Sequence, residues 1–163
     1  MVTVLLSLGS NQGDRIKQCR GAIEHIKERF PAEIKKVSSF YETQAMGPAD
    51  QKDYINMALE IQTDLPPMSL LRAIREVETL MGRRKLVKWG SRDIDIDILL
   101  YDDLVMRSDN LTIPHLLMHE RMFVLEPLAE IVPNVVHPLT KKTISQMAKK
   151  CKDPLWVKKL DIK

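Results

Sequence analysis

At 163 residues the chain is of a size for one domain with a real core, and we expect a single domain over 1–163. With 44% hydrophobic and 29% charged residues and a net charge of +3, it reads as a globular protein that does not demand a polyanion. No apolar run reaches membrane-spanning length, and Cys19 and Cys151 have no metal-ligand spacing, so we expect reduced thiols, a cytoplasmic location and no membrane contact.

In chain order, Thr3 to Leu8 reads as an apolar first strand. Gly9-Ser10-Asn11-Gln12-Gly13-Asp14 is turn chemistry that opens a helix running to about Phe30, with Ile16, Cys19, Ile23, Ile26 and Phe30 on one stripe. Pro31 stops it. Lys36 to Thr43 reads as one strand rich in β-branched and aromatic residues, and Gln44 to Lys52 as a loop. Tyr54 to Gln62 alternates cleanly, with Ile55, Met57, Leu59 and Ile61 on one side and Tyr54, Asn56, Ala58, Glu60 and Gln62 on the other. Pro67 suits the first turn of a second helix whose stripe is Leu70, Leu71, Ile74, Val77 and Met81, with Gly82 placed to end it.

A basic segment follows (Arg83, Arg84, Lys85, Lys88), then Arg92-Asp93-Ile94-Asp95-Ile96-Asp97-Ile98-Leu99-Leu100. This strict alternation of acid and isoleucine is strand periodicity with one buried and one polar face. Side chains two apart on a strand stand roughly 6.5 Å from each other at Cα. Asp95 and Asp97 can therefore lean onto shared cations, and hard divalent ions take such oxygen ligands. Carboxylates for a metal beside cations for phosphate are the parts of a phosphoryl-transfer site.

The order β-α-β-β-α-β is the ferredoxin-like pattern. It predicts an α+β fold: an antiparallel sheet with two helices on one face and the site on the other. The open face would gather Tyr54 and Asn56 from one strand and Asp95 and Asp97 from another. Beyond Tyr101 we expect a C-terminal extension: a small hairpin around Asp109-Asn110, a turn at Pro114-His115, a helix from Glu120 to Ile131 interrupted by Pro127, and a short helix from Thr143 to Lys150. Lys158-Lys159 reads as merely solvated.

Several pieces then coincide. They are Gly9-Ser10-Asn11, Ser38-Ser39-Phe40-Tyr41 with Thr43, Gly47-Pro48, Asp53-Tyr54-Ile55-Asn56, Glu78 with Gly82-Arg83, Trp89-Gly90 with Arg92, and Asp95-Ile96-Asp97-Ile98-Leu99. Further on come Leu111-Thr112 with Pro114-His115, and Arg121 with Phe123-Val124-Leu125 and Pro127-Leu128. In this order and spacing the chain resembles the 6-hydroxymethyl-7,8-dihydropterin pyrophosphokinases of folate biosynthesis. The resemblance implies a ferredoxin-like fold and transfer of pyrophosphate from ATP to the pterin hydroxymethyl group, releasing AMP. It implies that Asp95 and Asp97 bind two Mg²⁺ ions, and that Arg83 and Arg92 act with them on the phosphates. It implies that Thr43, Tyr54, Asn56 and Phe123 bind the pterin. Leu71, Glu78, Trp89, Arg92, Ile98, Thr112, His115 and Arg121 match the region around ATP. Arg75, Asn110 and Leu116 depart from the family pattern on that side. The expected partners are the pterin and ATP alone, with no nucleic acid, on a monomer.

Two other classes share features. A nucleic-acid-binding ferredoxin-like module would expose aromatics on its sheet, but a row of aspartates repels phosphate. A metal-dependent nucleotide hydrolase would share the acids without needing an aromatic clamp. ATP turnover that requires the pterin and yields AMP separates the transferase from both.

Overall fold

Val2–Ser10 forms the central strand β1, buried along most of its length because both of its faces are covered. In the computed structural model, which describes residues 1–45, 47, 51–82 and 93–162, β1 pairs antiparallel with β4 (Tyr54–Thr63) on one side and β5 (Asp95–Tyr101) on the other. Beyond β4 come β2 (Ala32–Val37) and β3 (Tyr41–Thr43), both pairing with β4 in succession. The sheet order β5-β1-β4-β3, antiparallel throughout, is that of a ferredoxin-like sheet.

Two helices cover one face. α1 (Arg15–Arg29) starts at Asp14, whose carboxylate accepts a hydrogen bond from Lys17 N at 3.1 Å, and ends at Phe30. α2 (Pro67–Leu80) opens on its proline and is followed by Gly82 at φ +90, the left-handed conformation that glycine tolerates. The stripes Cys19, Ala22, Ile23 and Ile26 of α1 and Leu70, Ile74 and Val77 of α2 bury against the even-numbered residues of β1 and the odd-numbered apolar residues of β4. Burial pushes the Cys19 thiol up to about 12, so it stays a neutral core thiol.

The opposite face is not left open. α3 (Met122–Ile131) and α4 (Ile144–Lys150) lay a second apolar cluster on Leu5, Ala58, Leu99 and Leu100. The two core helices share one face as expected, and the helices of the C-terminal extension, which the sequence pattern did not place, cover part of the other. The reason lies in β5: Leu6 pairs with Ile98 but Leu5 pairs with Leu100, so Leu99 is an extra residue, a bulge. Both Leu99 and Leu100 thereby join the α3 side. Among the described residues, the α3–α4 cluster does not extend to the end of the sheet near Gly9, Asn56 and Asp95.

Other boundaries shifted for identifiable reasons. The expected single strand from Lys36 to Thr43 is two strands. Ser38 Oγ accepts from Ala58 N at 2.8 Å in place of a backbone carbonyl, and Ser39 donates to Glu130, so the ladder is interrupted by side-chain partners. α3 runs through Pro127 without interruption; the proline removes the one N–H that would have bonded Phe123 O. The turn before α3 is a separate short helix at Met118–Glu120. The hairpin arm is present as β6 (Met106–Arg107) and β7 (Thr112–Ile113), followed by a cis peptide at Ile113-Pro114. Lys158-Lys159 is not merely solvated: it belongs to β8 (Val157–Lys159), which pairs with β3 and closes that edge of the sheet.

Candidate active site

Asn56 and Asp95 face each other across a single glycine. Gly9 of β1 pairs with Asn56 on one side and with Asp95 on the other. The two side chains therefore stand at the same level of the sheet, two strand spacings or roughly 10 Å apart. Gly9 has a positive reason to be glycine: a Cβ there would collide with Asn56 Oδ1 and come within 3.6 Å of Tyr54 Cδ2. Its absence lets the Asn56 amide lie over the β1 backbone. Asn56 is 5% exposed, and its Nδ2 donates to the Thr43 hydroxyl at 2.6 Å. Tyr54, two residues back, shares the face and pairs with Thr43 across the strands. Thr43, Tyr54 and Asn56 thus form one patch that can stack a flat ring and read its edge. Gly9→Ala is expected to push the amide aside and weaken binding of a flat, donor-rich ligand here by about tenfold. Calorimetry on the variant would show it, with equal affinity as the contrary result.

On the other side of β1, Asp97 opens into a recess of ≈ 250 Å³. Leu71, Ile98, Thr112 and His115 all line it, as do Arg75 and Leu111. Though open to solvent, Asp97 lies in a concavity where protein displaces much of its hydration. That desolvation, with the charges of Asp95 and Glu78, pushes its carboxyl up to about 6 against the pull of Arg75 and Arg121. Glu78 itself lies beneath the recess rather than in it. It is fully buried, accepts from Ile96 N at 3.0 Å, and accepts from Arg75 Nη1 at 2.6 Å. One carboxylate thus fixes the backbone between the two aspartates and orients the arginine beside them.

His115 Nδ1 accepts from Leu117 N at 3.2 Å, which leaves the ring proton on Nε2. Burial and the nearby Arg121 lower its pKa, so the ring is a neutral donor at pH 7. Arg121 stands at the start of α3 with its guanidinium 5.6 Å from the centre of the Phe123 ring. Phe123 is half-buried and packs against the α3–α4 cluster, so it has a structural duty whatever else it does.

The donor set fits a hard cation. Among the described residues no cluster of three or more His, Cys, Asp or Glu could cage an ion. A pair of carboxylates suits Mg²⁺, which keeps several waters and takes phosphate oxygens. Burial first, and then the like charges of Asp95 and Glu78, raise Asp97, and a cation relieves the part that those charges add.

Of the residues expected from sequence, Leu71, Asp97, Ile98, Thr112 and His115 meet in the recess, and Thr43, Tyr54 and Asn56 meet on the patch. Arg83, Trp89 and Arg92 lie outside the described residues. Sequence reasoning assigned no role to Gly9, Arg75 or Leu111. The Arg75–Glu78 spacing of i, i+3 on a helix was a usable signal for that pair. Leu111 stood in the motif Leu111-Thr112 that carries the resemblance, which was the usable signal for it.

The model of the family described as 7,8-dihydro-6-hydroxymethylpterin-pyrophosphokinase matches residues 5–133. The chain is 46% identical over 146 residues to the 2-amino-4-hydroxy-6-hydroxymethyldihydropteridine pyrophosphokinase of Aquifex aeolicus, covering 90% of each. It is 37% identical to the enzyme of that name from Haemophilus influenzae, covering 97% of this chain and 98% of the relative. Among solved structures, the wild-type HPPK-DHPS of Plasmodium falciparum superposes with a TM-score of 0.73 at 17% identity over 91% of this chain. This chain spans 44% of that one, and the likeness at such identity concerns the fold.

Proposed function

The chain belongs to the 7,8-dihydro-6-hydroxymethylpterin-pyrophosphokinase family, and from that premise we propose that the two substrates meet across Gly9, the pterin on β4 and the nucleotide over β5. The activity is transfer of pyrophosphate from ATP to hydroxymethyldihydropterin in folate biosynthesis. The shared register of Asn56 and Asp95 on either side of Gly9 carries the reading: it sets the pterin edge and the acidic pair about one small-molecule length apart.

Release of AMP requires that the pterin hydroxyl oxygen bond to the β-phosphorus and give up its proton to solvent while the bond from that phosphorus to the bridging oxygen breaks and AMP leaves on that oxygen. The residues of this chain serve that step by placement. Leu71, Ile98 and Leu111 offer apolar walls for the adenine. Thr112 Oγ1 and His115 Nε2–H offer donors for sugar or phosphate oxygens. Arg121 sets positive charge beside the recess. Asp95 and Asp97 would hold Mg²⁺, which supplies polarisation of the phosphoryl oxygens and of the attacking hydroxyl. Arg83 and Arg92 are proposed from the sequence pattern to act on the migrating group. Asn56 reads the pterin edge with its amide, Thr43 orients that amide, and Tyr54 and Phe123 enclose the ring.

Product identity tests the reading. Turnover should require the pterin and release AMP, followed by phosphorus NMR. Turnover with ATP alone would make the protein a hydrolase, and pterin-dependent release of ADP would make it a monophosphoryl kinase. Phe123→Ala is expected to weaken pterin binding by about tenfold while sparing an ATP analogue, with some loss of thermal stability from its packing. Normal pterin binding in that variant would leave Phe123 to the core.

A further inference from the structure

The Asn56–Thr43 pair is flanked by a hydrogen-bonded pair that joins β3 to α3. β3 is only three residues long, and its register places Tyr41 directly opposite Asn56. Residues opposed across an antiparallel pair share a face, so the Tyr41 ring stands beside the Asn56 amide, with Thr43 next along the same strand. Tyr41 is 3% exposed, and its hydroxyl donates to Glu130 Oε1 at 2.7 Å. Glu130 also accepts from Ser39 N at 3.0 Å and from Ser39 Oγ at 2.9 Å, and faces Lys159 Nζ of β8 at 4.0 Å. Burial pushes the Glu130 carboxyl up, but the hydrogen bonds from Tyr41 and Ser39 outweigh it and keep its pKa below the usual range. Burial, then the bond to Glu130, pushes Tyr41 above the ordinary phenol, so it remains a donor.

The carboxylate is on α3, the helix that carries Phe123. One side chain therefore ties the helix that bears one wall of the pterin pocket to the strand that bears its edge. β8 backs the arrangement. Gln44 N donates to Trp156 O at 3.1 Å and Leu160 N to Phe40 O at 2.8 Å, on the two ends of β3. β8 lies beyond the residues 5–133 that match the family.

We propose that Glu130 and Tyr41 are positioning residues for pterin recognition, setting the separation between α3 and the Asn56–Thr43 edge. The proposal rests on Asn56 and Thr43 being that edge.

Steady-state kinetics on the full chain, with pterin and ATP varied separately, tests it alongside thermal denaturation. Tyr41→Phe and Glu130→Ala should raise the pterin KM about three- to tenfold, with kcat and the ATP KM within about twofold of wild type. Glu130→Gln keeps an acceptor oxygen for Tyr41 and should restore most of the pterin KM. A role in stability alone would lower Tm and the amount of active enzyme without splitting the two KM values. The proposal is overturned by an unchanged pterin KM in Glu130→Ala, or by equal rises for both substrates. If instead Asn56→Ala binds pterin normally, the reading of the edge fails, which is a separate result.

Discussion

Asp97→Asn is expected to abolish turnover, by on the order of 10³-fold or more, and at the same time to make the ligand-free protein more stable at neutral pH. The loss follows from removing a carboxylate that faces the recess and is proposed to hold a cation. The gain follows from electrostatics. Asp97 sits in a concavity with Asp95 and Glu78 near it, and its carboxyl is pushed up to about 6. Its folded pKa is above the unfolded value of 3.8, so the folded state binds more protons between the two. Stability is therefore lost as pH rises from about 4 to 6 and stays lost above that. The asparagine removes this penalty. Its Tm should exceed that of wild type by roughly a few degrees at pH 7, and the difference should close below about pH 4. Because the site is open to solvent, screening limits the size of the effect. Excess Mg²⁺ should stabilise the wild type and not the variant. Near-normal turnover in Mg²⁺, or a variant less stable at pH 7, would contradict the assignment.

Asn56→Ala is the second large effect. The side chain is buried, and its amide has one donor committed to Thr43 at 2.6 Å while its oxygen lies over Gly9. The alanine strands the Thr43 hydroxyl and, with Asn56 proposed to read the pterin edge, leaves that desolvated edge without its partner. The expected cost in pterin affinity is roughly 1–3 kcal/mol, or about ten- to a hundredfold. ATP-analogue affinity should be unchanged, because the recess lies across β1. Calorimetric titration of each ligand separates the two. Equal loss for both ligands would show a folding defect rather than a lost contact.

The strand faces on which the candidate site stands were legible before the fold was. The alternation in Tyr54 to Gln62 and in Asp93 to Ile98 marks which side chains share a face, because strand periodicity is two and successive side chains point to opposite faces. What escaped was non-local. No alternation reveals that Leu99 is an extra residue, since both its neighbours are apolar and the bulge exists only against Leu5 and Leu6. The break at Ser38 depends on Ala58 and Glu130, twenty and more positions away. β8 offers three residues, two of them lysines, and is a strand only because β3 has an unpaired edge beside it. Pro127 reads as a breaker, yet packing of Val124, Leu125 and Leu128 carries the helix through it. The second helical layer follows from these missed features together.

The claim that the substrates meet across Gly9 is tested most directly by a crystal structure of the ternary complex with the pterin, a nonhydrolysable ATP analogue and Mg²⁺. The account predicts the pterin ring between Tyr54 and Phe123 with its edge on Asn56 and Thr43, the adenine in the recess of Leu71, Ile98 and Leu111, and the phosphates over Asp95 and Asp97. A pterin bound away from Asn56, or phosphates lying clear of both aspartates, would contradict it.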